Sequence, residues 1–368
     1  MPHHTDRPRY RAAIIGLSWI GADPPQPASD PLLGTSSPGT HASAMATIPE
    51  IEVVAGCDIF PAAREQFVQR WGPVWPGVRV YEDFKELLKK EPVDIVSIVT
   101  PDHLHAPVLF AALEAEVKGI FCDKPLSIDL DEADRMVAAV TAAGVPMSVN
   151  YGRRWYPEYV EARRLIRAGE IGRLVQVVIE SGGPRAMLWR IHTHAIDLIN
   201  YFAESEPDWV FADLEPGMED YGTAYKGDGG RDASKEPGVN AYITFKNGVR
   251  GILTGWKQIP QDMVVHLVGT TARIELDVEG WRLIRTPVNS DRAPTAGLGS
   301  PYTEPVVPHY NVSGMSAAIR ELIHAMETGE PTSSTGETAR RTVAISEAIL
   351  QSAAKGNVRV PVRPPAKP

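Results

Sequence analysis

The first apolar run, Ala12–Ile15, ends in Gly16-Leu17-Ser18-Trp19-Ile20-Gly21, a GxGxxG turn with Ser in place of the middle glycine. A strand entering such a turn brings backbone N–H groups to a helix N-terminus, where a pyrophosphate can approach. Alone, the turn reads equally well as an ordinary strand-to-helix corner. The segments after it narrow the choice. Glu52–Cys57, Val93–Val99, Gly119–Cys122 and Met147–Val149 are short runs rich in apolar residues with little alternation. That is the pattern of strands buried on both faces of a parallel sheet. Helical patterns lie between them at Asp83–Lys90, Pro107–Glu116 and Asp131–Ala143, the last stopped at Gly144. Strand and helix repeated in this way predict a doubly wound α/β domain over 1–150.

The pattern changes after Pro157. Glu158–Ala168 reads as a helix, and Leu174–Glu180 alternates. Asn240–Phe245 and Val249–Thr254 flank Asn247-Gly248, which suits a hairpin turn. Val264–Val268, Ala272–Leu276 and Trp281–Ile284 continue the strand character. Strands joined this closely pair antiparallel. The expectation is an α+β domain over 151–368 with an open, mostly antiparallel sheet. Met315–Glu327 places Met315, Ala318, Ile319, Leu322 and Met326 on one helical face, and the stretch 315–356 is expected to pack back on the first domain. Gly217–Pro237 reads as a polar loop.

The net charge of −9 argues against nucleic acid or an anionic membrane as the main partner. No run of about 18 apolar residues is present, so no membrane-spanning helix is expected, and the N-terminus lacks a secretory pattern. The two cysteines, Cys57 and Cys122, form no CxxC pair. Buried thiols in a cytoplasmic protein are the simplest account.

Asp58 closes the second strand. An acidic residue there can bind the ribose 2′-hydroxyl of NAD about 20 positions after the glycine turn begins. Asp58 follows Gly16 at roughly twice that spacing, and removing the Pro-rich stretch Ala22–Thr40 restores it. Ala22–Thr40 is therefore read as an insertion in a normal βαβ unit, with the helix resuming at His41. Asp58 repels a 2′-phosphate, and no Arg or Lys follows it directly, which favours NAD over NADP. Thr100-Pro101-Asp102-His103-Leu104-His105 and Asp123-Lys124-Pro125 each follow a strand, at the edge that faces the ligand crevice in such sheets. A lone Lys is ordinarily a surface residue; at a crevice it can act as acid or base. Arg190-Ile191-His192-Thr193-His194-Ala195-Ile196-Asp197 leads into a helix.

In this order the motifs resemble the glucose–fructose oxidoreductase / inositol dehydrogenase / rhizopine-catabolism family over Ala12 to about Pro361. The turn, the acidic strand end, a TPxxxH element at Thr100–His105, and an EKP motif seen as Asp123-Lys124-Pro125 all match. So do an NxxR element near Asn150–Arg154 and the HxxD pair His194 and Asp197. The resemblance implies an NAD-dependent oxidoreductase acting on a sugar, cyclitol or glycoside alcohol, with a cis Lys124–Pro125 bond and Lys124 and His194 as the catalytic pair. It places Gly16, Leu17, Ser18, Trp19, Ile20, Gly21, Asp58, Thr100, Pro101, His105, Asp123 and Lys124 around the cofactor. Asn150, Arg154, Trp155, Tyr156, Trp189, Arg190, His192 and Asp197 fall around the substrate. A homo-oligomer, dimer or tetramer, is implied as well.

Three positions depart from the family pattern: Ser18, Asp123 in place of Glu, and Arg190 where an Asp is common. Arg cannot relay a proton, since its pKa is above 12. The loss of that Asp keeps open a second reaction, glycoside cleavage through transient oxidation. A metal-dependent hydrolase built on His192-x-His194 and His103-x-His105 is a third reading, although no metal is expected. A nicotinamide-sensing binding protein is a fourth.

Overall fold

The computed structural model describes residues 10–23, 38–224, 230–260, 263–277, 280–285, 302–306 and 314–365. The chain divides into two compact units, one holding residues 1–127, 131–155 and 312–339, the other 128–130, 156–311 and 340–368.

In the first unit the chain runs β1 (Tyr10–Ile15), α1 (His41–Ala46), β2 (Ile51–Cys57), α2 (Pro61–Trp71), β3 (Arg79–Tyr81) and α3 (Phe84–Lys90). It continues through β4 (Ile95–Ile98), α4 (His105–Glu114), β5 (Gly119–Cys122), α5 (Leu130–Ala143) and β6 (Met147–Val149). The six strands lie in the order β3-β2-β1-β4-β5-β6, all parallel. This is the doubly wound sheet that the buried apolar runs require. The register sets Ile15, Cys57, Ile98, Cys122 and Val149 in one row across the sheet. The residues that follow them, Gly16, Asp58, Val99, Asp123 and Asn150, therefore share its C-terminal edge.

Two elements of this unit lie outside the sequence expectation. The helix α2 buries only Phe67 and Trp71, so too little apolar periodicity shows in the sequence. The strand β3 is very short, Arg79–Tyr81. A third difference is α4, which begins at His105 rather than Pro107.

The second unit contains α6 (Pro157–Arg167), β7 (Leu174–Ser181), α7 (Ile191–Ala203), β8 (Pro207–Leu214), α8 (Tyr221–Ala224), β9 (Val239–Phe245) and β10 (Arg250–Thr254). The strands β11 (Met263–Gly269), β12 (Ala272–Asp277), β13 (Gly280–Arg285) and β14 (Tyr302–Pro305) follow. The helix α9 (Gly314–Thr328) groups with the first unit, where Met315, Ile319 and Leu322 join the core formed by Ala12, Ile14 and Phe121. The chain from Arg340, which carries most of α10 (Gly336–Ala354) and β15 (Val360–Pro361), groups with the second. The nine strands run β14-β13-β12-β11-β7-β10-β9-β8-β15. Only β7 and β10 pair parallel; the other neighbours are antiparallel.

The start of the insertion is legible in hydrogen bonds. His41 N–H donates to Ile20 O at 2.8 Å, and Ala42 N–H to Gly21 O at 2.9 Å. In a continuous helix these carbonyls would meet donors one turn further along the chain. Here the donors come from beyond the insertion, and the turn closes when Ala22 is followed directly by Thr40. The spliced segment is therefore Asp23–Gly39, slightly shorter than the compositional limits Ala22 and Thr40 suggest. Positions 24–37 of the insertion lie outside the described residues.

Candidate active site

The glycine turn is built by close backbone packing. Gly16 has φ +100, and a Cβ there would lie 2.4 Å from Val99 O; one on Gly21 would lie 2.2 Å from Gly16 O. Only glycine satisfies both contacts. Ser18, at the middle position, is exposed and needs no such clearance. Leu17 N–H donates to Asp58 Oδ2 at 2.9 Å, and Phe60 N–H to Asp58 Oδ1 at 3.0 Å. The carboxylate thus locks the turn to the end of β2. An ionised carboxylate has roughly four acceptor sites, so Asp58 keeps capacity for ribose hydroxyls. Trp19 is left-handed at φ 52, and its N–H donates to Asp23 Oδ2 at 2.8 Å. Arg70 holds the same carboxylate at 3.3 Å. An internal anion therefore sits on one of the turn amides, a feature that sequence reasoning missed.

Next along the edge, Thr100 Oγ1 and Asn150 Oδ1 are buried without a hydrogen-bond partner. Buried polar atoms are ordinarily satisfied, so two such atoms on one sheet edge, beside the glycine turn and Asp58, fit a polar dinucleotide. Between them lie Asp123 and Lys124, both half-buried. Lys124–Pro125 is a cis bond.

Asp123 is pinned from two sides. Asn150 Nδ2 donates to its Oδ1 at 3.1 Å, and His41 Nε2 lies 3.7 Å from the same oxygen. Burial pushes this carboxyl up, but the facing His41 ring and the Lys124 charge outweigh burial and hold it at about 2. It is an anion at any working pH. His41 is fully buried, with Nδ1 2.7 Å from Ser97 Oγ and its ring 4.8 Å from that of Phe121. Sequence reasoning treated His41 only as the start of a helix. Its place beside Asp123 shows once the spliced segment is discounted and it falls one turn after Ile20.

Several expected substrate residues are held by packing. Arg154 is buried and donates to Ser333 O. Trp155 is a core residue whose Nε1 donates to Glu321 Oε2 at 3.0 Å. With 8% of its surface exposed, Trp155 presents little ring to solvent.

In the second unit, Arg190 immediately precedes α7. Its Nε donates to Glu236 Oε2 at 3.1 Å, with the two side chains 5% and 0% exposed. Trp189 N–H donates to Glu236 Oε1, and Lys257 Nζ donates to the Glu236 carbonyl at 2.9 Å. Glu236 lies in the stretch expected to be a loop, and nothing local in the sequence marks it as the partner of Arg190. Trp189 is 2% exposed and so is also core. Tyr156, 42% exposed, is the aromatic that keeps a solvent-facing ring.

His192 is fully buried, and its Nδ1 accepts from Val239 N–H at 3.3 Å. Burial pushes its pKa down to about 4. A neutral core imidazole with one nitrogen committed to backbone is poorly placed as half of an HxH metal pair. Among the described residues, no group of three His, Cys, Asp or Glu side chains is placed to hold a metal. His194 is half-buried and shares a face of α7 with Ile191, whereas the intervening residues are buried. Asp197 is buried and accepts from Thr342 Oγ1 at 3.4 Å. No described helix is long and apolar enough to cross a membrane.

Comparison with known proteins follows the same division. Residues 10–151 match the model of an oxidoreductase family with an NAD-binding Rossmann fold, and residues 159–275 match the GFO/IDH/MocA C-terminal domain. The chain is 27% identical over 207 residues to inositol 2-dehydrogenase of Salmonella paratyphi B, covering 53% of this chain and 55% of that protein. It is 24% identical over 342 residues to inositol 2-dehydrogenase of Rhizobium meliloti, covering 88% and 96%. A levoglucosan dehydrogenase in complex with NADH and levoglucosan superposes with a TM-score of 0.73 at 20% identity, covering 96% of this chain and 99% of that one.

Proposed function

The chain belongs to the GFO/IDH/MocA oxidoreductases, and on that premise we propose that it transfers hydride between NAD and a secondary alcohol carbon of a sugar, cyclitol or glycoside. The observation that carries this reading is Lys124. It is a half-buried amine next to the permanent anion Asp123, on the sheet edge that also holds the glycine turn and Asp58. The cofactor, when bound, supplies the hydride acceptor. The Gly16–Gly21 turn would hold its pyrophosphate through amides other than those that Asp58 and Asp23 occupy, and Asp58 would accept from ribose hydroxyls. Asp58 disfavours a 2′-phosphate, so NAD is preferred to NADP; titration of both cofactors tests that choice, and tighter NADP binding overturns it.

Lys124, as the neutral amine, would take the hydroxyl proton of the substrate as the hydride leaves, with His194 as its partner at the carbinol. Positioning supplies much of the rate. Arg190, paired to Glu236, orders the entry to α7 and so fixes the helix that carries His194. The inositol and levoglucosan dehydrogenases among the relatives support a polyhydroxylated ring as the substrate class. The test is a screen of cyclitols, sugars and glycosides for growth of reduced-cofactor absorbance. Reduction with at least one such alcohol is expected, and it should vanish in Lys124→Ala. Turnover only with acyclic or non-carbohydrate alcohols overturns the substrate class.

A further inference from the structure

His105, the first residue of α4, is 1% exposed. Its Nδ1 lies 2.9 Å from the carbonyl oxygen of Pro125 and 3.4 Å from that of Leu126, and its Nε2 lies 2.9 Å from the carbonyl oxygen of Thr100. Carbonyl oxygens only accept hydrogen bonds. A neutral imidazole carries one N–H and would set a lone pair against a carbonyl at 2.9 Å. The imidazolium has a proton for each side. We propose that His105 is held as an imidazolium through the neutral pH range, as a positioning residue that ties the end of β4 to the segment carrying Lys124.

Two effects oppose this charge. Burial costs solvation, and the N-terminus of α4 is the positive end of its dipole. Two carboxylates answer them. Asp102, in the 3-10 turn before α4, is 3% exposed, and Asp123 follows β5. Cys122, at the end of β5, also faces the ring. Burial lowers the His105 pKa, but Cys122, Asp102 and Asp123 outweigh burial and push it up to about 10. The same ring thus fixes Thr100, whose hydroxyl awaits a partner, and Pro125, next to Lys124. The charge assignment stands apart from the proposed reaction; the consequence for Lys124 rests on it.

Imidazole 15N NMR on the full chain without ligand tests the charge. Both ring nitrogens of His105 should keep imidazolium shifts and two N–H signals from pH 6 to pH 9. A single neutral tautomer at pH 8, or a titration midpoint below pH 7, overturns the assignment whether or not the reaction is correct. Asp102→Asn should bring the ring into titration below pH 9, and Cys122→Ala should lower the midpoint at least as far while leaving the imidazolium at pH 6. Loss of the imidazolium at pH 6 in Cys122→Ala would overturn the role given to the carbonyls and carboxylates. For the positioning role, His105→Gln keeps a donor group on one side and sets its amide oxygen against the carbonyl on the other. Its kcat should fall at least tenfold on whichever alcohol reduces NAD, a larger loss than any in NADH affinity read by cofactor fluorescence. An unchanged kcat with intact folding overturns that role.

Discussion

The backbone N–H of His41 donates to the carbonyl of Ile20 at 2.8 Å, although the whole Pro-rich insertion separates them in the chain. One helical turn is thus assembled from two distant pieces, and the segment between them is topologically dispensable. Surface insertions cost little closure entropy once their ends are already adjacent. Deleting Asp23–Gly39 should join Ala22 to Thr40, the extended N-cap of α1, at the spacing of one turn. The variant is expected to fold, with a melting temperature within about 5 °C of the parent, and to bind NADH. Loss of the cooperative melting transition would show that the insertion is structurally required.

The same segment begins with the carboxylate that occupies the Trp19 amide. Removing an anion from a helix N-terminal region is worth about 0.3–1 kcal/mol to an incoming anion. Asp23→Ala should therefore tighten NADH binding by about two- to fivefold, read as Kd by fluorescence titration. Weaker binding would mean that Asp23 shapes the turn rather than competing for it.

Lys124→Ala should lose about 10²–10⁴ in kcat, as expected for removing a positioned acid–base group. His194→Ala should also be impaired. NADH affinity should stay within a few-fold of the parent, because the turn and Asp58 are intact. Full turnover by Lys124→Ala would remove the proposed chemistry.

His192 sets an acid limit on stability. Burial lowers its folded pKa from 6.5 to about 4, so the unfolded chain takes up a proton that the folded one refuses. Its contribution is full above about pH 6.5 and is lost as pH falls from 6.5 to 4. In His192→Asn, whose Oδ1 can accept from Val239 N–H as Nδ1 does, that loss should be absent. The advantage of the parent over this variant should shrink between about pH 6.5 and 4.5 in denaturant unfolding. A difference that is flat with pH would refute the assignment.

The buried pair Arg190–Glu236 predicts a non-additive double mutant. Breaking one side strands a charge, at a cost of about 3–5 kcal/mol, so Glu236→Gln should unfold at markedly lower denaturant. Arg190→Met with Glu236→Leu should recover part of that loss. Equal loss in the single and double variants would show that Glu236 acts mainly through the Trp189 amide.

The local pattern of the chain determined the parallel sheet and the residues on its C-terminal edge. Short, unalternating apolar runs can be buried only on both faces, and each of Gly16, Asp58, Thr100 and Asp123 follows such a run directly. The Asn247-Gly248 hairpin and the α9 face were legible for the same reason, since a turn dipeptide and a helical repeat are local signals. The helix α2 and strand β3 were not, because their apolar content is small and their burial is set by neighbours. The pairings that decide charge were invisible as well. His41 meets Asp123, Arg190 meets Glu236 and His105 meets Pro125, each pair with at least one helix and one strand between its members in the chain. Each carries a buried charge or a buried ring, and whether a buried polar group is tolerated depends on the partner facing it. Sequence proximity carries no information about that partner, so only the tertiary fold could supply it.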